Sequence, residues 1–151
     1  MGKHPKWAAA LFSPEDLDAI GRAVGVVEAA TSAELRVHLE RHAPAGTEAM
    51  ARALDVFAAL GMHRTAGRNA VLIYLAVEDH KLAVVGDEGI HAKVGPQYWE
   101  HVRDLMLERL RSGAARDAVL AAVEDVGAVL RRYFPQRPDD TNELSNEVSL
   151  Q

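Results

Sequence analysis

The order of patterns along the chain is helix, strand, helix, strand, strand, helix, helix. It predicts an α/β fold: a three-layer αβα sandwich with a central mixed β-sheet flanked by helices. Three observations carry that expectation. Four stretches repeat apolar residues every three or four positions, the spacing of one helix face. One stretch alternates, with Leu35, Val37 and Leu39 on one side and Glu34, Arg36, His38 and Glu40 on the other, as a half-buried strand does. Asn69 to Val77, NAVLIYLAV, is an almost unbroken apolar run, which marks a central strand covered on both faces.

Each element follows from local chemistry. Ser13 can cap a helix, Pro14 suits a first turn that needs no donor, and Glu15 and Asp16 favour the positive end of its dipole. Leu17, Ile20, Val24 and Val27 then carry that helix to about Ala30. After the alternating strand, His42 to Gly46 is a loop and Thr47 a cap for a second helix, with Met50, Leu54, Phe57 and Leu60 as its expected buried stripe. Glu78-Asp79-His80 turns the central strand back into Lys81 to Val85, a hairpin. Two long helices follow, from about Pro96 to Arg111 and from about Arg116 to Phe134. Tyr98, Val102, Leu105 and Leu110 face inward on the first, and Val119, Val123, Val126 and Leu130 on the second.

The chain divides into an N-terminal extension (1–12), the αβα domain (13–134) and an acidic C-terminal segment (135–151). That segment holds Asp139, Asp140, Glu143 and Glu147 against Arg137, a net −3 of the chain's −5. Leu144 and Val148 point to its docking on the domain.

With 151 residues the chain is the length of one domain, large enough to fold without staples. Zero cysteines exclude disulfides, thiolate zinc sites, iron–sulfur clusters and cysteine nucleophiles. The acidic balance, with a pI near 5.8, argues against a nucleic-acid footprint, which needs a basic face. No apolar run approaches the roughly 20 residues of a bilayer span. The short stretch from Trp7 to Phe12 is not a signal sequence, so the expected location is cytoplasmic.

Two groups of oxygen-bearing residues stand out. Asp87 and Glu88, between Gly86 and Gly89, sit where a buried strand emerges, and the glycines let backbone approach an ion closely. An ordinary acidic turn explains them equally well. In the tail, every residue from Asp139 to Glu147 except Leu144 carries a side-chain oxygen. Hard cations take about 6–8 such ligands, more than one short segment usually supplies. A solvated terminus is the plainer reading of this stretch. Glu34 and Arg36 beside His38 could do acid–base work, but alternating charge on a solvated strand face accounts for them too. Arg68 and Asn69 could bind an anion or tie down a loop. The seven histidines include no HExxH pair, no EF-hand loop is present, and no nucleophile–base pair is recognisable.

Taken together, TSAELRVHLE from Thr31, RNAVLIYLAVEDHKLAVVGDEGIHAKVG from Arg68, YFP from Tyr133 and DTNELSNEVS from Asp140 resemble the TPM domain family. The similarity is greatest to its small stand-alone bacterial members and covers about Phe12 to Val148. The family pattern often has Gly where Ala33 and Ala70 stand; neither swap removes a ligand atom. The resemblance implies an αβα sandwich, divalent-metal binding in some members, and the acid-phosphatase activity known for plant members. The expected function is therefore a domain that binds calcium or magnesium, as a metal-responsive regulatory or interaction module. Asp87, Glu88, Asp140, Asn142 and Glu143 are the expected ligands, with Glu34, Arg36, Arg68, Asn69 and Asp139 as accessories. The expected partners are metal ions and a protein still to be identified. The alternative is a metal-dependent acid phosphatase on the same scaffold, although no catalytic residue can be assigned and the sequence leans away from an enzyme.

Overall fold

The computed structural model describes residues 12–112, 115–136 and 149–150. Its elements are α1 (Pro14–Ala29), β1 (Leu35–Glu40), α2 (Ala49–Ala59), a 3₁₀ turn (Met62–Arg64), β2 (Val71–Ala76), β3 (Lys81–Gly86), α3 (Glu88–Val94), α4 (Pro96–Arg111), α5 (Ala115–Tyr133) and β4 (Ser149–Leu150). Strand order is β3-β2-β1-β4. β1 runs parallel to β2, with Leu35 opposite Val71, and β2 and β3 form the antiparallel hairpin. The expected helix-flanked mixed sheet is present, with a short fourth strand added from the tail, where Ser149 lies opposite His38.

Side-chain alternation splits the core in two. Leu35, Val37 and Leu39 of β1, with Val71, Ile73 and Leu75 of β2, meet α1, α4 and α5 on one face. Leu72, Tyr74 and Ala76 of β2, with Ala83 and Val85 of β3, meet α2 on the other. Every residue of β2 is buried, as its apolar run requires. At the start of α1 the Ser13 hydroxyl accepts from the Asp16 backbone while the Asp16 carboxylate accepts from the Ser13 backbone, both at 3.0 Å. This reciprocal cap contributes about 1 kcal/mol.

Two expectations are corrected. The polar side of β1 is not solvated: Glu34, His38 and Glu40 are buried and Arg36 is half-buried, because polar partners rather than water receive them. On α2 the buried residues are Ala53, Val56 and Phe57, while Met50 and Leu54 are 48% and 51% exposed. The helix begins at Ala49 with Glu48 rather than Thr47 before it, and makes no side-chain cap. Alanines on several sides left the apolar pattern unable to choose a face.

Candidate functional site

The hairpin decides which end of the sheet carries the first group of carboxylates. Asp87 follows β3, which is antiparallel, so it lies at the amino ends of β1 and β2 rather than at the carboxyl ends where open α/β sheets hold ligands. There the ladder continues for one more residue. The Asp87 N–H donates to the Ala70 carbonyl and the Val71 N–H to the Glu34 carbonyl, each at 2.9 Å. Glu34, Ala70 and Asp87 therefore form a row across three neighbouring segments of the sheet, with a small residue between two carboxylates.

Asp87 caps α3, its Oδ1 accepting from the Glu88 N–H at 2.8 Å. The same carboxylate receives a bidentate fork from Arg68, with Nε 2.8 Å from Oδ2 and Nη2 3.0 Å from Oδ1. The third nitrogen, Nη1, is 3.3 Å from Glu88 Oε1. Three carboxylate oxygens thus converge on one guanidinium.

Local backbone holds that geometry. Arg68 has φ 49°, the left-handed region that a bulky residue adopts only when its surroundings insist. Its N–H donates to the Thr65 carbonyl at 3.2 Å and its carbonyl accepts from the Gly89 N–H at 2.7 Å. A Cβ at position 89 would lie 2.2 Å from the Gly67 carbonyl oxygen, so glycine is needed for the approach. The neighbouring Asn69 is buried, and its Oδ1 has no hydrogen-bond partner.

A second acidic pair lies at the same end. Burial, reinforced by a hydrogen bond to Glu34, pushes the Glu28 carboxyl up to about 10, so Glu28 keeps its proton at neutral pH. The nearby Arg36 opposes this only partly. Glu28 lies in the last turn of α1 and did not stand out in the sequence, where it looked like any helix-surface acid.

The opposite end holds a network that sequence reasoning missed. Tyr74 donates to Glu40 Oε2 at 2.5 Å, Arg52 of α2 forks onto the same carboxylate, and the His38 ring stacks on Tyr74 with Nε2 3.6 Å from Glu40 Oε1. Burial alone would raise Glu40, but the Arg52 fork and the Tyr74 hydroxyl hold it below the ordinary carboxylate range. One signal was available: a tyrosine inside an apolar strand needs a partner for its hydroxyl. All four groups are committed to one another, which makes this a strut between α2 and the sheet.

Asp139, Asp140, Asn142 and Glu143 lie outside the described residues. The chain on either side of them is placed: one flank lies against the segment between α1 and β1, the other along the carboxyl half of β1. Gln136 donates to the Ala30 carbonyl at 3.3 Å, Thr31 bridges Pro135, and β4 pairs with β1. Among the described residues, no three histidine or acidic side chains gather as a set able to hold a metal ion. No described helix is long and apolar enough to cross a membrane.

The TPM domain model matches residues 6–129. The chain belongs to the TPM domain family. This TPM domain is similar over its whole length to the BA42 protein of the psychrophilic bacterium Bizionia argentinensis, solved by NMR, with 34% identity, 100% coverage of both chains and a TM-score of 0.84. The N-terminal domain of the cg2496 protein of Corynebacterium glutamicum, also an NMR structure, shares the fold at 17% identity, with 86% of each chain covered and a TM-score of 0.64. No curated protein matches the chain.

Proposed function

We propose that this TPM domain binds a divalent cation, calcium or magnesium, at the amino end of its sheet, and acts there as a metal-responsive module in the cytoplasm. The observation that carries the reading is the convergence of Asp87 Oδ1 and Oδ2 and Glu88 Oε1 on a single positive charge, the Arg68 guanidinium. These are hard oxygen donors, the type calcium and magnesium take. The buried Asn69 Oδ1, next in the chain to Arg68, is a further oxygen without a partner.

Two described carboxylates are too few for a cage, so the proposal assigns Asp140, Asn142 and Glu143 as the remaining ligands, with Glu34 and Asp139 in support. Gln136 is anchored to Ala30, ahead of β1, and β4 pairs with His38 and Leu39 of that strand, so the acidic stretch is tethered at both flanks to the same part of the chain, which supports the reading. The phosphatase alternative gains no observation of its own. It needs cationic clamps for a phosphoryl group, and the forks of Arg68 and Arg52 are each closed on a carboxylate.

Thermal melting of the full chain tests the proposal. A ligand at about a hundred times its dissociation constant stabilises a fold by about 2.7 kcal/mol, which moves the midpoint by several degrees. Calcium or magnesium should raise the melting temperature and EDTA should reverse the rise. Replacing Asp140, Asn142 and Glu143 together by alanine should abolish the response. No response in the unsubstituted chain would end the proposal.

A further inference from the structure

We propose that β3, the outer strand of the sheet, is a dimer edge: a second copy of this chain pairs antiparallel with it about Val84. The two sheets become one, and the exposed flank of α2 packs on its counterpart. The inference is independent of the cation-binding reading.

The pairing of β3 shows which of its backbone groups are left over. The Asp87 N–H donates to Ala70, and β2 and β3 stay in register from there to Lys81. Bonded pairs alternate in an antiparallel ladder. Lys81, Ala83 and Val85 therefore spend their N–H and C=O groups on β2, while Leu82, Val84 and Gly86 point theirs off the sheet, beyond its last strand. Among the described residues none bonds to these three. From Leu82 to Gly86 the strand has no proline, charge or bulge, the usual guards of a free edge. The edge also complements itself. A two-fold axis at Val84 sets Leu82 opposite Gly86 of the second copy, so outward N–H groups meet outward C=O groups. The exposed Lys81 then lies opposite Asp87 of the second copy, where Arg68, Asp87 and Glu88 together carry a net negative charge.

The helix above this edge carries the apolar part of the surface. Ala53, Val56 and Phe57 of α2 turn toward the sheet. With about 100° between successive residues, Met50 and Leu54 fall on one flank of the helix and Arg52 on the other. Arg52 reaches Glu40 of β1, so its flank faces β1 and the opposite flank faces the free side of β3. Among the described residues three large apolar side chains are exposed, and Met50 and Leu54 are two of them. α2 packs on both β2 and β3, and neighbouring strands lie about 4.8 Å apart, so the axis sets α2 about 10 Å from its counterpart, a distance at which helices pack. On the other face the Trp99 ring of α4 lies against Gly86 and borders the same seam.

The test is sedimentation velocity of the full chain from micromolar to millimolar protein, with amide exchange measured at both ends of that range. The expected result is a mass rising from 16.4 kDa toward twice that value, with the Leu82, Val84 and Gly86 amides slowed at the high concentration only. A filtered NOE between labelled and unlabelled copies should join Ala83 Hα to Val85 Hα, the close pair of this register. Met50→Lys and Lys81→Glu change side chains exposed in the single copy, so the protomer still folds, and each should weaken self-association at least about tenfold. A single-copy mass at millimolar protein overturns the proposal, as does a dimer whose three edge amides exchange as fast as in dilute solution. Slow exchange of those amides already in dilute solution would show that the chain closes its own edge, and overturns it too. Should a variant fail to fold, the mass, exchange and NOE of the unsubstituted chain decide.

Discussion

Among the described residues four buried acids, Glu28, Glu34, Glu40 and Asp87, sit in different settings, and their settings make different predictions. Glu40 is held below its ordinary value, so its contribution is present above the unfolded carboxylate range and is lost as pH falls through the folded value. Glu28 has the opposite sign. Its folded value of about 10 lies above the unfolded 4.5, so its contribution is complete below 4.5 and is lost as pH rises toward 10. Urea unfolding between pH 5 and 9 should show stability falling with pH, by at most about 1.4 kcal/mol per unit for one proton. Glu28→Gln should flatten that slope, and an unchanged slope would show that Glu28 does not carry the proton. Removing Arg52 leaves Glu40 buried without its fork. Arg52→Ala should therefore cost about 3 kcal/mol, measured by the same denaturation. At this scale the sequence was only partly legible. The alternation of Glu34, Arg36, His38 and Glu40 identified their common side, but burial depends on Arg52 and Tyr74, which arrive from other elements.

The elements were easier to read where chemistry at their ends was explicit. Ser13, Pro14 and Asp16 announced α1, and the apolar run announced β2, because capping and two-sided burial are local properties. The hairpin was legible as well, yet its consequence for Asp87 was not: direction in a sheet is a property of pairing, and an antiparallel β3 delivers its end to the amino side of β1 and β2. In α2 the register was misread because alanines blur the apolar face. The structure makes the correct register testable. Phe57→Ala should cost about 3–5 kcal/mol, whereas Leu54→Lys should stay within about 0.5 kcal/mol. Similar losses for both would return α2 to the register expected from sequence. The contact of α3 with the Arg68 loop gives a second test. Gly89→Ala places a Cβ against the Gly67 carbonyl, and backbone cannot yield cheaply, so a loss of about 1–3 kcal/mol is expected. A neutral result in thermal melting would mean that the loop and α3 are not pressed together.

Across the whole molecule the two ends of the sheet divide the work. The carboxyl end of β1 is closed by Glu40, Arg52, Tyr74 and His38, a polar strut that fixes α2. The amino end gathers Glu28, Glu34, Arg68, Asn69 and Asp87. The family and the helix-flanked sheet were legible in the sequence, since motifs and periodicity are spread along the chain. The arrangement of Arg68 on Asp87 was not, because nineteen positions separate the two and only the hairpin brings them together. With both described arginine forks closed on carboxylates, p-nitrophenyl phosphate should turn over no faster than a control containing the same metal. A saturable rate that disappears in Arg68→Ala would instead favour the phosphatase.

The central claim is that a hard cation binds at the amino end of this sheet. Its most direct test replaces calcium by manganese, which also takes oxygen ligands, and follows paramagnetic broadening of the backbone amides in the full chain. The account predicts broadening centred on Glu34, on Arg68 and Asn69, and on Asp87 to Gly89, with the amides of Glu40 and Arg52 spared. Broadening centred elsewhere, or absent at saturating manganese, would contradict it.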